Sequence, residues 1–191
     1  MLNNWLSSNY IEVLGAVSGL VYLYFSIRQI IWLWPLGILT SVLYIYVFYT
    51  TRFYADMSLQ VYYFFISFYG WYNWLYGKKG DSKISVQYAG RRLLLILLVL
   101  TSILTLIIAF ILKRFTDSPL PWWDAFTTAA SIPATWMLAG KIIENWLFWI
   151  VIDAVSAGLY LYKGMYPTVF LFIVYTTLAF AGYLNWRKDL K

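Results

Sequence analysis

GWYNW at residues 70–74 returns as GYLNW at residues 182–186, 112 positions further along the chain. Reading that pair decides the fold. Gly70, Asn73 and Trp74 match Gly182, Asn185 and Trp186. Without a gap, the same offset aligns Ile30 with Ile142, Ile31 with Ile143, Trp34 with Trp146 and Ile38 with Ile150. It also aligns Tyr54 with Tyr166, Leu59 with Leu171, Tyr63 with Tyr175 and Phe68 with Phe180. Apolar residues coincide often in an apolar chain, but two tryptophans, a glycine and an asparagine in one register rarely do. The chain reads as an internal duplication.

Composition says what is duplicated. Of 191 residues, 62% are hydrophobic and 12% charged, with 11 Trp and 18 Tyr, more apolar surface than a soluble domain of this size can bury. The chain is therefore an integral membrane protein. It has neither His nor Cys, which excludes thiolate chemistry, disulfides and histidine-based acid–base or zinc chemistry. No cofactor is expected. The net charge of +6 lies in short connections and does not suggest nucleic-acid binding. The opening residues MLNNWLSSNYIEVLG lack a basic n-region and a small-residue cleavage site, so no cleavable leader is expected.

Charged residues bound seven apolar runs: Glu12 to Arg28, Arg28 to Arg52, Asp56 to Lys78, Arg92 to Lys113, Asp124 to Lys141, Glu144 to Lys163, and Lys163 to Arg187. Each has about 15 to 23 residues, the length at which a helix crosses roughly 30 Å of hydrocarbon. Seven transmembrane helices are expected. Arg28, Lys78, Lys79, Lys83, Arg91, Arg92, Lys141, Arg187, Lys188 and Lys191 fall on one side, against Arg52, Lys113, Arg114 and Lys163 on the other. The positive-inside rule then puts the C-terminus in the cytoplasm and the N-terminus outside.

The repeat offset spans four crossings, an even number, so both copies point the same way. This predicts an all-α protein of two parallel three-helix repeats joined by a linker helix, the SWEET-like arrangement in which substrate sits between the halves. The expected layout is a first bundle over 1–76, a cytoplasmic loop over 77–91, a linker helix over 92–112, an extracytoplasmic loop over 113–123, and a second bundle with a short tail over 124–191.

Asp153 is the one charged residue deep inside a span, and its repeat mate is Ser41. A carboxylate at that depth costs about 2.5–3.5 kcal/mol on insertion scales, so it needs a partner or a wet cavity. It reads either as a structural hydrogen-bonding group or as the site for a cationic ligand. The second reading is preferred because no basic residue lies at similar depth. Trp146, Trp149 and Asp153 at i, i+3 and i+7 share one helix face, where an aromatic cation could stack and gain cation–π attraction. Gln60 and Tyr63 sit one turn apart on the third span, and either substrate recognition or interhelical bonding suits Gln60. Thr127, Thr128, Ser131 and Thr135 give the fifth span small polar groups for close packing or a wet path. Gly15 and Gly19 form a GxxxG packing motif, and Pro35 and Pro133 are expected to interrupt helices two and five.

LQVYY (59–63) with YGWYNW (69–74), KIIENWLFWI (141–150) and YLNW (183–186) resemble the nicotinamide riboside transporter (PnuC) family over nearly the whole chain. That resemblance implies a SWEET-like vitamin facilitator in the cytoplasmic (inner) membrane. It also implies a homo-oligomer, with a trimer as one form, and a cytoplasmic kinase that traps substrate without needing to touch the carrier. The family's WxxW signature falls on Trp71 and Trp74, with Asn73, Asn145, Asn185 and Trp186 in the same motif or gate regions. Its ligand-facing positions fall on Gln60, Trp149 and Asp153. Many riboside carriers are expected to hold Asn where this chain has Asp153, so thiamine, another aromatic cation, stands beside nicotinamide riboside as a substrate. From other classes, a membrane receptor or scaffold would use the basic loop between Lys78 and Arg92. An intramembrane enzyme finds no catalytic constellation here.

Overall fold

The computed structural model describes residues 16–50, 54–79, 82–116 and 119–190. Glu12, Gly15, Arg52, Lys191 and the opening segment lie outside them. Seven helices follow in order among the described residues: α1 (Ala16–Ile27), α2 (Leu33–Thr50), α3 (Tyr54–Tyr76), α4 (Arg91–Phe115), α5 (Pro121–Ala139), α6 (Asn145–Tyr162) and α7 (Tyr166–Arg187). A two-residue antiparallel hairpin, β1 (Lys78–Lys79) and β2 (Ser82–Lys83), follows α3, with Lys78 opposite Lys83. Long helices are what an apolar chain must form in a bilayer, because each satisfies its own backbone where water cannot. By length and composition alone α2, α4, α6 and α7 can each cross a membrane. The chain is a multi-pass membrane protein.

Helix ends depart from the charge-bounded layout. Helix α4 runs on through Lys113 and Arg114, whose cations suit the negative end of its dipole. Helix α5 begins at Pro121, where a missing N–H leaves no bond unmade, so the connection between them shrinks to residues 116–120. Pro35 does not interrupt α2: it lies in the first turn, whose N–H groups have no intrahelical partner. Pro133 lies inside α5, which continues to Ala139.

The halves repeat in three dimensions. Trp34 fills the space above Gly70 and Trp146 the space above Gly182, so that a Cβ on either glycine would overlap the ring. Trp34 meets Trp74 edge-on at 5.5 Å and 89°, and Trp146 meets Trp186 at 5.5 Å and 86°. Gln29 and Lys141 each turn the chain between two helices with positive φ, 53° and 51°. Helices α2 and α3 pack as a pair, as do α6 and α7, while α5 also touches α3.

Across the halves, Asn73 Nδ2 donates to Ala139 O at 2.9 Å and Asn185 Nδ2 donates to Ile27 O at 2.8 Å. Ile27 and Ala139 end α1 and α5, and such terminal carbonyls lack an intrahelical partner. Each half therefore caps a helix of the other. Reciprocal exchange of this kind is the mark of a two-fold relation, here within one chain.

Helix α4 lies on α5 and turns Leu95, Ile96, Leu98, Val99, Leu106, Ile107 and Phe110 outward, a face that only hydrocarbon solvates well. The segment before it is not a free basic loop. Gln87 N donates to Lys141 O and its carbonyl accepts from Ile143 N, both at 3.0 Å, and Ala89 N donates to Glu144 Oε2 at 2.9 Å. Val86 is buried beneath this seam. The loop is stitched to the turn between α5 and α6.

Candidate functional site

Two cavities open inside the bundle. The first, about 230 Å³, is lined by Ser18, Gly19, Tyr22, Gly37, Thr40, Ser41, Tyr44, Gln60, Tyr63, Ser67, Thr135 and Trp149. The second, about 260 Å³, is lined by Leu59, Asp124, Thr127, Thr128, Ser131, Trp149, Ile152, Asp153, Ser156, Leu159, Tyr160, Lys163 and Phe172. The offset of 112 relates them. Gly19, Gly37, Thr40, Ser41, Tyr44 and Gln60 of the first are the repeat mates of Ser131, Trp149, Ile152, Asp153, Ser156 and Phe172 of the second. One hollow was built twice and then furnished differently.

The furnishing decides the chemistry. Hydroxyls, phenols and one amide line the first cavity; the second holds two carboxylates, Asp124 and Asp153, and the Lys163 ammonium. Asp153 is 7% exposed and makes no hydrogen bond or ion pair among the described residues. It lies one helical turn beyond Trp149 on α6, and Trp149 lines both cavities, forming a shared wall. A desolvated carboxylate and an indole on one cavity wall are the groups an aromatic cation would need: a counterion for its charge and a stacking surface for its ring.

The sequence-predicted residues divide into two groups. Gln60, Tyr63 and Ser41 meet in the first cavity; Thr128, Ser131 and Asp153 meet in the second, with Trp149 between. Tyr63 also sits against the hydroxyls of Ser131 and Thr135, joining the halves at the cavity wall. Trp146 lines neither cavity. Three residues before Trp149 on the same helix, it is 1% exposed and faces the helix-packing corner instead.

That corner gathers the motif residues. Trp34, Trp74, Trp186 and Trp146 form a chain of rings across the pseudo-axis, with Trp74 and Trp186 meeting at 6.3 Å. Trp71 packs on its margin. Trp186 Nε1 donates to Ser26 O at 3.1 Å, whereas the indole N–H groups of Trp34, Trp74 and Trp146 find no partner among the described residues. Asn145 is fully buried and donates to Ile142 O at 2.6 Å.

Lys141 Nζ lies 4.6 Å above the Trp74 ring and donates to Gln29 Oε1 at 3.0 Å, while Gln29 Nε2 donates to Asp189 Oδ2 at 2.7 Å. Burial holds the Lys141 ammonium below the usual lysine range, and the Asp189 carboxylate opposes that shift. This end of the bundle is fastened by edge-on and tilted rings and by hydrogen bonds between the halves.

Sequence reading missed half of the first cavity: Ser18, Tyr22, Gly37, Thr40, Tyr44 and Ser67. Carrying the repeat offset from Trp149 back to the first half would have found Gly37. Tyr22 and Ser67 carry no such signal. Asp124 and Lys163 served as span boundaries in the sequence, yet both line the second cavity.

Two parallel three-helix repeats about a common axis, each with an internal cavity, define a multi-pass membrane protein of SWEET-like carrier architecture. A family profile described as nicotinamide mononucleotide transporter matches residues 9–188, and the chain belongs to that family. It is 26% identical to the riboflavin/roseoflavin transporter RibM of Streptomyces davaonensis, over 97% of this chain and 95% of that one. It is 24% identical to the nicotinamide riboside transporter PnuC of Escherichia coli, over 96% of this chain and 87% of the relative. Its fold matches the crystal structure of the vitamin B3 transporter PnuC with a TM-score of 0.75 at 23% identity, covering 98% of this chain and 84% of that one.

Proposed function

We propose that the protein carries a cationic aromatic B vitamin across the membrane by facilitated diffusion, nicotinamide riboside first and thiamine second. The observation that carries this reading is Asp153, a buried carboxylate without a counterion among the described residues, lining a cavity beside Trp149. A neutral passenger would leave that carboxylate uncompensated, whereas a cation relieves it. Relatives named for nicotinamide riboside support the first choice. Another relative is named for riboflavin, a neutral ring system to which Asp153 would offer no counterion advantage.

In this reading Gln60, Tyr63 and Ser41 hydrogen-bond the polar part of the passenger, and Thr128 and Ser131 line its path. The tryptophan corner, with Asn73 and Asn185, is the gate at the cytoplasmic end. The N-terminus lies outside and the C-terminus inside, following the excess of Lys and Arg at the corner's end. The carrier works as a homo-oligomer in the cytoplasmic (inner) membrane, and a cytoplasmic kinase traps what it delivers.

Purified protein in liposomes should equilibrate labelled nicotinamide riboside or thiamine without ATP or an ion gradient. Folded protein that moves neither vitamin would overturn the reading. Movement of riboflavin in preference to both cations would overturn the role given to Asp153.

A further inference from the structure

The second cavity has a mouth as well as a floor. Asp153 lies at its floor; at its other end Lys163, which caps α6, pairs with Asp124 in the first turn of α5. Their N–O distance is 3.6 Å, and both side chains are about 30% exposed. The Lys163 ammonium also lies 5.6 Å from the centre of the Tyr160 ring, which lines the same cavity. An acid and an aromatic face thus stand at the mouth, as an acid and an aromatic face stand at the floor. At the mouth, however, both are already engaged by an ammonium that belongs to the protein. Ten residues of helix separate Lys163 from Asp153, about 15 Å along α6. A ligand at the floor and the lysine at the mouth therefore do not overlap.

Resting on the transport reading above, we propose that Asp124 and Tyr160 form an outer recognition site for the cationic passenger, and that Lys163 is a tethered competitor for it. A passing cation replaces the ammonium on Asp124 and over Tyr160, and Lys163 swings into water on its flexible stem. A neutral molecule gains nothing from that exchange, so the pair selects for positive charge before the passenger reaches Trp149 and Asp153. Partial exposure suits this role. A pair buried as deeply as Asp153 would be too costly to open, whereas a partly exposed pair costs far less.

The test is the direction in which two substitutions move half-saturation for nicotinamide riboside uptake in proteoliposomes. Lys163→Met keeps the stem and removes the competitor, so the half-saturating concentration should fall at least three-fold. Asp124→Asn removes the site itself, so it should rise at least three-fold, and Lys163→Arg should behave like the unmodified protein. A purely structural ion pair would give a different pattern: both substitutions would impair uptake and lower the unfolding temperature together, and that result overturns the proposal. Should Lys163→Met fail to fold, Asp124→Asn against Asp124→Glu decides it, because only loss of the charge should raise half-saturation. If the unmodified protein carries neither vitamin, the transport reading fails and the outer site falls with it. Uptake by the unmodified protein with same-direction variants sinks the outer site alone.

Discussion

Asp153 shows how far one residue can be read from sequence, and where such reading stops. One carboxylate deep in an apolar span is conspicuous because hydrocarbon penalises it, and the fold places it where that penalty has a use, in a cavity. Asp153→Asn keeps the volume and removes the charge. Binding of nicotinamide riboside or thiamine, followed by calorimetry, should weaken about ten- to hundred-fold, or roughly 1.4–2.8 kcal/mol. The unfolding temperature should hold or rise, because a buried uncompensated charge is gone. Unchanged affinity with an intact fold would make the residue structural. Trp146 is less legible. Helical spacing aligns it with Trp149 and Asp153, but the face of a helix is broad, and Gly182 on α7 offers a socket that takes the nearer indole away from the cavity.

At the level of the element, charges locate the helices but not their ends. Lys113 and Arg114 stay helical because long side chains reach water from within a last turn, so a charge marks the membrane boundary rather than the end of the helix. The docking of the 84–90 segment on the α5–α6 turn is hard to read from sequence, since every one of its four bonds uses at least one backbone group, and two are backbone to backbone. The packing of α2 on α3 and of α6 on α7 rests on sockets that do have a signature, Gly70 and Gly182. Gly182→Ala should force the Trp146 ring to move and lower stability by about 1–3 kcal/mol, and Gly70→Ala should do the same through Trp34. Gly158 on α6 is the control: a methyl there meets nothing within 4 Å, so Gly158→Ala should be neutral or stabilising by up to about 1 kcal/mol. Thermal unfolding in detergent distinguishes the three, and equal behaviour would refute the socket.

For the whole molecule, the duplication is legible because it reuses costly residue types. Its parallel sense follows from counting crossings. The pairing of the cavities is not legible, because none of their six matched positions holds the same residue twice, as Gly37 with Trp149 and Gln60 with Phe172 show. What survives of the common ancestor is the joinery: each half lends an asparagine to a helix end of the other. Asn73→Ala and Asn185→Ala should therefore destabilise by similar amounts, about 0.5–1.5 kcal/mol each, measured by the same unfolding assay. A large effect from one and none from the other would show that only one corner bears on stability. The fixed position of Asp153 has a further, electrical consequence. On the proposed transport reading, a carboxylate anchored to α6 would ease a cation through the hydrocarbon without travelling with it, so the passenger's charge would cross the full membrane voltage unaccompanied. An interior-negative potential of 100 mV is worth about 2.3 kcal/mol per charge, roughly fifty-fold accumulation at equilibrium. A carrier with no energy source of its own would then act as a concentrating device, drawing on the potential the cell already maintains.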